Sequence, residues 1–167
     1  GEKAFLPYSP HSMFYNKNLP ERKKDYAHAR ELLGVEENAS PSADHFVTIQ
    51  TLKKHKKTAE LIAKSWKEIG VTTKIEETDA VPSKFQIFLG DFAISRDPDQ
   101  YSLWHSEQVN NITKYKNLRI DKLLEDGRKS VVVADRKELY MDFQKYLMED
   151  VPASFLYFPY EYDVVRK

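Results

Sequence analysis

Between Phe46 and Glu76 the chain reads strand, helix, strand within roughly 30 residues, the span of a βαβ unit, and no other feature limits its fold so strongly. Phe46 to Leu52, FVTIQTL, is short and rich in β-branched and apolar side chains, which favours a strand. KTAELIAKSWKEIG then sets Ala59, Ile62, Ala63, Trp66 and Ile69 on one helical stripe. Lys57, Lys64 and Lys67 turn to water, and Gly70 supplies the stop. VTTKIEE alternates Val71, Thr73 and Ile75 against polar neighbours, as a half-covered strand does. Two parallel strands are expected, with Trp66 in the core beneath them.

A third strand is expected at Phe85 to Ala93, within a run that is apolar almost throughout to Ile94, as an inner strand covered on both faces would be. Upstream, residues 1–24 hold Pro7, Pro10 and Pro20 among Tyr8, Phe14, Tyr15 and Asn16, which predicts a covering segment of turns. Asp25 is placed to cap a short helix carrying Tyr26, Ala29 and Leu33, closed by Gly34. Downstream, Ile120, Leu123, Leu124, Gly127 and Val131 form one stripe after an Asn117 cap. Asp135 and Glu138 form a variant capping box before Leu139, Tyr140, Phe143 and Leu147. Both helices are expected to cover a sheet. ASFLYFPYEY reads as a last strand that Pro159 confines to an edge or ends. The fold class is α/β, a mixed sheet flanked by helices, with residues 1–167 as a single unit.

Function classes narrow with charge. Twenty-six basic side chains balance 26 acidic ones, so no basic face marks a nucleic-acid partner. Without cysteine there is no disulfide and no thiolate nucleophile. No apolar run approaches the roughly 20 residues that span a bilayer. Asn38 and Asn111 head Asn-x-Ser/Thr triplets, the pattern of a glycan acceptor. Asp97-Pro98-Asp99 could hold a divalent metal against a sugar nucleotide, as in a metal-dependent transferase, although Pro98 makes a turn as plausible and no glycine-rich phosphate cradle accompanies it. The five histidines show no metal-ligand spacing, and Ser102 and Ser106 beside His105 lack a nucleophile-elbow context. Trp66 lies on a core stripe, whereas Trp104, among Asp99, Tyr101, His105 and Gln108, suits either a ligand or the core. A stand-alone interaction domain is the other competing class.

The succession AHARELLG, TAELIAKSWKEIGVTTKIEE, FLGDFAISRDPDQYSLWHS, YKNLRIDKLLEDGRK and DRKELYMDFQKYLMEDVPASFLYFP resembles the large peptide- and nickel-type (family 5) solute-binding proteins of ABC importers. The resemblance implies one lobe, the C-terminal one, of a type II periplasmic-binding fold, in which two α/β lobes close on a ligand at their hinge. It implies a chain that is not an enzyme and carries no cofactor or metal. Its expected partners are a peptide or other small ligand, the permease subunits of the importer and a missing N-terminal lobe, without nucleic acid. Its expected place is extracytoplasmic, in a periplasm or lipid-anchored outside a bacterial membrane. The ligand-binding residues implied by position are Ile94, Ser95, Arg96, Asp97, Asp99, Tyr101 and Trp104. Peptide binders of this kind often set an aspartate where this sequence has Ile94, to pair with the peptide's amino terminus, and Asp91 stands three residues too early.

Overall fold

The computed structural model describes residues 1–36, 42–93, 97–160, 162 and 164–166. In chain order the elements are β1 (Glu2–Lys3), α1 (Tyr26–Leu33), β2 (Ser42–Leu52), α2 (Lys56–Lys67), β3 (Val71–Thr78), β4 (Ile87–Leu89), α3 (Tyr101–Trp104), α4 (Leu118–Lys129), α5 (Val133–Asp150) and β5 (Tyr157–Phe158). They form two compact units, one of Lys23–Phe92 and one of Gly1–Arg22 with Ala93–Lys167.

The Lys23–Phe92 unit is built on a parallel sheet in the order β3-β2-β4, with Ile49 in register with both Ile75 and Ile87. The βαβ unit is therefore present, and its strands run parallel as the spacing requires. β2 holds the middle place, and Ile49 and Thr51 on it are fully enclosed. The expectation of an inner strand at Phe85 to Ala93 is corrected: β4 has three residues, is half-buried and takes an edge. The apolar run around it is used locally, since the Phe85 and Phe88 rings pack on each other at 5.8 Å. The Gln86 side chain accepts from Thr48 N (2.8 Å), filling a ladder position that backbone would otherwise take. Trp66 also departs from expectation, being half-buried rather than core. The helix packs chiefly on the outer strand β3, so along its stripe only Ala59 is completely enclosed.

Helix α1 is capped as read: Asp25 accepts from His28 N, and Gly34 adopts the left-handed conformation at φ 65° that a side chain would resist. Its Arg30 reaches the last carbonyls of α2, donating to Glu68 O at 2.6 Å.

In the other unit α4 and α5 lie against each other, and the proline-rich segment fills the groove they leave. Tyr8, Phe14, Trp104, Ile120, Leu124, Tyr140, Phe143 and Leu147 make this core. Within this unit the helices cover one another and residues 1–22. Gln144 explains why a segment without regular structure can be buried: its Oε1 accepts from Asn16 N (3.1 Å), and its Nε2 donates to Phe14 O and Tyr140 O (both 2.8 Å). Backbone groups that no ladder satisfies are satisfied by one enclosed amide. Gly127 allows the helices to close, because a Cβ there would stand 2.9 Å from Tyr140 Cζ.

Asn117 caps α4, accepting from Arg119 N and Ile120 N. The capping box at Asp135 is corrected: α5 begins earlier, with Val132 at its cap and no side-chain acceptor there. Asp135 lies in the first turn, where its charge faces the positive end of the helix dipole. The closing strand is only β5, paired antiparallel with β1, and it ends before Pro159 as anticipated. Asn111 is 2% exposed and donates to Tyr115 O at 2.7 Å, so it offers no glycan acceptor in the fold; Asn38 lies outside the described residues.

Candidate functional site

The segment Asp97 to Tyr101 is shaped by its own two acids. Asp97 Oδ1 accepts from Asp99 N (2.8 Å) and Asp99 Oδ1 accepts from Tyr101 N (2.9 Å), two successive Asx turns that deliver the chain into α3. Each carboxylate also meets an arginine from the helix pair. Arg136 grips Asp97 through Nη2–Oδ1 (2.7 Å) and Nη1–Oδ2 (3.4 Å), while its Nε donates to Gly127 O (3.0 Å). Arg128 Nε pairs with Asp99 Oδ2 at 2.9 Å and lays its guanidinium 4.5 Å from the Tyr101 ring centre. Tyr101 in turn stacks on His105 at 4.2 Å.

The residues between the acids point inward. Pro98 is buried and its carbonyl accepts from Tyr8 Oη (2.5 Å). Gln100 donates to Pro7 O and accepts from Trp104 Nε1, both at 2.9 Å. The DPDQ run therefore joins the proline-rich segment to α4 and α5, with polar contacts on one side and core on the other.

Asp97 is held as a carboxylate. Burial pushes its pKa up, but the Asp99 N–H and the Arg136 guanidinium outweigh that and hold it below the usual range. Because the folded-state pKa is lowered, its stabilisation is full above the unfolded value near ~3.9 and fades as pH falls through the lower folded value. The side chain is 56% exposed, so solvent limits the effect. We expect Asp97→Asn, which keeps the turn acceptor, to lose about 0.5–1 kcal/mol at pH 7. Urea unfolding should show that gap narrowing as pH falls below about 4, and a gap independent of pH would contradict the ion pair.

Of the residues singled out by position, Asp97, Asp99 and Tyr101 come together on one surface with Arg128 and Arg136. Ile94, Ser95 and Arg96 lie outside the described residues. Trp104 resolves toward the core: it is 3% exposed, packs on Phe155 at 6.2 Å and presents no open face to a ligand. Both acids being engaged by arginines, the pair is poorly suited to a metal, and among the described residues no group of three or more His, Asp or Glu could hold one.

Arg128 and Arg136 carry no local motif and gain meaning only when the helices are packed. A second cluster escaped notice for the same reason. At the carboxyl ends of the neighbouring parallel strands β2 and β4, His55 Nε2 lies 2.7 Å from Asp91 Oδ1 and Lys54 Nζ pairs with Asp91 Oδ2. Thr51 Oγ1 donates to Leu89 O (3.1 Å) beside it. The hydrogen bond from Lys54, and then His55, holds the Asp91 carboxyl below its ordinary pKa despite partial burial. Open α/β sheets receive ligands at this edge.

The oligopeptide-binding protein AppA of Bacillus subtilis (strain 168) is 26% identical to the chain over 188 residues, which is 95% of the chain and 34% of AppA. The structure of AppA in complex with a nonapeptide superposes with a TM-score of 0.82 at 25% identity, over 95% of this chain and 37% of that one. Its relatives are peptide- and nickel-type substrate-binding proteins. The di/tripeptide-binding protein 1 of Pseudomonas aeruginosa (strain UCBPP-PA14) is likewise 26% identical over 189 residues, all of this chain and 34% of the relative. NikZ of Campylobacter jejuni, solved with Ni(L-His), shares the fold at a TM-score of 0.75 and 22% identity, over 87% of this chain and 34% of that one. No family model matches the chain. It spans about a third of the length of the curated relatives it matches, a share that fits a single lobe. Helices flanking a parallel sheet are the architecture of such a substrate-binding lobe.

Proposed function

We propose that the chain is the C-terminal lobe of an extracytoplasmic solute-binding protein that captures a peptide and delivers it to the membrane permease of an ABC importer. The observation that carries this reading is the agreement of sequence and fold, over nearly the whole chain, with oligopeptide-binding AppA. In this reading residues 1–167 form one lobe, and the second wall of the ligand cleft belongs to the rest of a longer protein. The protein works free in a periplasm or on a lipid anchor, and among the described residues no helix is long and apolar enough to cross a membrane. It binds without chemical conversion, a view supported by the acids of the DPD segment being occupied by Arg128 and Arg136.

Ligand contact falls to Ile94, Ser95 and Arg96 and to the surface of Asp97, Asp99 and Tyr101 just beyond them, with Trp104 holding that surface from behind. The arginines are fixed in place by the acids, so the DPD segment serves as a rigid shelf. Rigid shelves limit the entropy lost on binding.

Peptide capture by the full-length protein tests the reading: calorimetry against a pool of short peptides should give saturable binding, and no binding to any member would sink it. Ile94 sharpens the test. With an apolar residue where an amine-pairing acid is often set, acetylating a peptide's amino terminus should change its affinity by less than tenfold. A larger loss, above about 1.4 kcal/mol, would show that another acid receives the amine.

A further inference from the structure

The column of side chains behind Asp99 includes a histidine, the residue that most readily changes charge near neutrality. Tyr101 meets the Arg128 guanidinium at 4.5 Å and the His105 ring at 4.2 Å, inclined by 30°. At those distances the two cannot share a face, so the tyrosine ring is held between them. Asp99 fixes Arg128 through the Nε–Oδ2 contact of 2.9 Å. His105, just past the end of α3 and 7% exposed, is fixed through both ring nitrogens. Its Nδ1 accepts from Glu107 N at 3.2 Å, and its Nε2 faces Glu125 Oε1 at 3.4 Å. A ring nitrogen that accepts carries no proton, so this arrangement belongs to the neutral imidazole with its hydrogen on Nε2.

The charged groups around the ring decide what protonation does. From α4 come Glu125, Asp121, which accepts from the neighbouring Ser106 N at 2.8 Å, and, across Tyr101, Arg128. Lys129 lies 3.7 Å from the other oxygen of Glu125, and Glu107 follows in the chain. A proton on Nδ1 sets its N–H against the Glu107 N–H and ends that bond, which frees the ring. The new cation is repelled by Arg128 beyond the tyrosine. It is attracted by Glu125, whose 3.4 Å separation leaves room to shorten to the roughly 2.7–2.9 Å of a charge-assisted bond. Both forces draw the imidazole off Tyr101.

We propose that His105 is a proton-sensitive positioning residue for the DPD surface. Uncharged, it props Tyr101, and with it Arg128, in place; charged, it moves toward Glu125 and loosens that surface. The consequence for ligand affinity rests on the peptide-binding reading above, whereas the movement itself does not.

NMR of the 167-residue chain across pH 8 to 5, the interval in which histidines change charge, tests the movement without a ligand. The Tyr101 ring and Arg128 Nε signals should shift with the same midpoint as the His105 ring. His105→Phe keeps a ring against Tyr101, and His105→Gln keeps an acceptor and a donor; neither can titrate, and both should abolish that shift while the other histidines still respond. In the full-length protein, affinity for a peptide pool should fall about tenfold from pH 8 to pH 5, and the two variants should lose most of that dependence. A His105 ring that keeps its charge across the interval overturns the proposal. So do Tyr101 and Arg128 signals that stay fixed while it titrates, a shift that persists in both variants, or peptide binding with the same pH dependence in parent and variants. Peptide binding absent at every pH contradicts the function proposed above and leaves the NMR titration to decide for or against His105.

Discussion

Trp104→Ala is expected to cost about 3–5 kcal/mol of folding stability, the range for deleting a large aromatic side chain from a closed core. The indole is 3% exposed and packs among Tyr8, Phe14, Ile120, Leu124 and Phe143, with Phe155 edge-on to it. Its loss would leave a cavity and would also free Gln100 Oε1, whose bond from Trp104 Nε1 is made inside the protein at 2.9 Å. A domain of this size has only about 5–15 kcal/mol to lose, so the variant should sit near the edge of folding. Trp104→Phe separates the two contributions: it keeps most of the apolar volume and gives up the N–H, for about 1–3 kcal/mol. Urea unfolding monitored by circular dichroism measures both. An alanine variant within 1 kcal/mol of the parent, roughly the mean for ordinary substitutions, would mean that Trp104 is not the pillar behind the DPD surface.

That pillar shows where the sequence could and could not be read. The βαβ unit was legible because both of its signals are local: β-branched runs of strand length and a single helical stripe between them. The caps at Asp25, Gly34 and Asn117 were legible for the same reason. Trp104 was not, since its neighbours in sequence are mostly polar and its neighbours in space, Tyr8 and Phe143, arrive from distant segments. Trp66 erred in the opposite direction. Its place on an apolar stripe promised a core, but a helix lying mainly over an outer strand can enclose only a small residue such as Ala59.

The candidate site divides along the same line. The position of the DPD segment beyond a strand end, and its turn-forming composition, are properties of adjacent residues. Its pairing with Arg128 and Arg136 depends on how α4 and α5 present their faces, and nothing in the spacing of those arginines announces it. Asp91 shows that position along the sequence does not fix what a carboxylate binds. It stands three residues from the position where an amine-pairing acid is often found, and it is instead fastened to His55 and Lys54 within its own unit.

The clamp proposal makes the largest claim about binding. A small ligand is held by burying about 70–90% of its surface, and in a two-lobe protein that enclosure needs both walls. The 167-residue chain on its own should therefore bind peptides at least 100-fold more weakly than the full-length protein that the proposal places around it, a difference of about 2.7 kcal/mol. Exposed apolar side chains near the C-terminal end, Tyr160 at 60%, Tyr162 at 80% and Val164 at 95%, are what a segment covered elsewhere in a longer protein would show. The deciding measurement is isothermal calorimetry of one peptide pool against the two proteins under identical conditions. Micromolar or tighter binding by the full-length protein, with none or only millimolar binding by the 167-residue chain, is the expected result; equal affinity for both would mean that the chain holds a complete site and that the clamp is wrong.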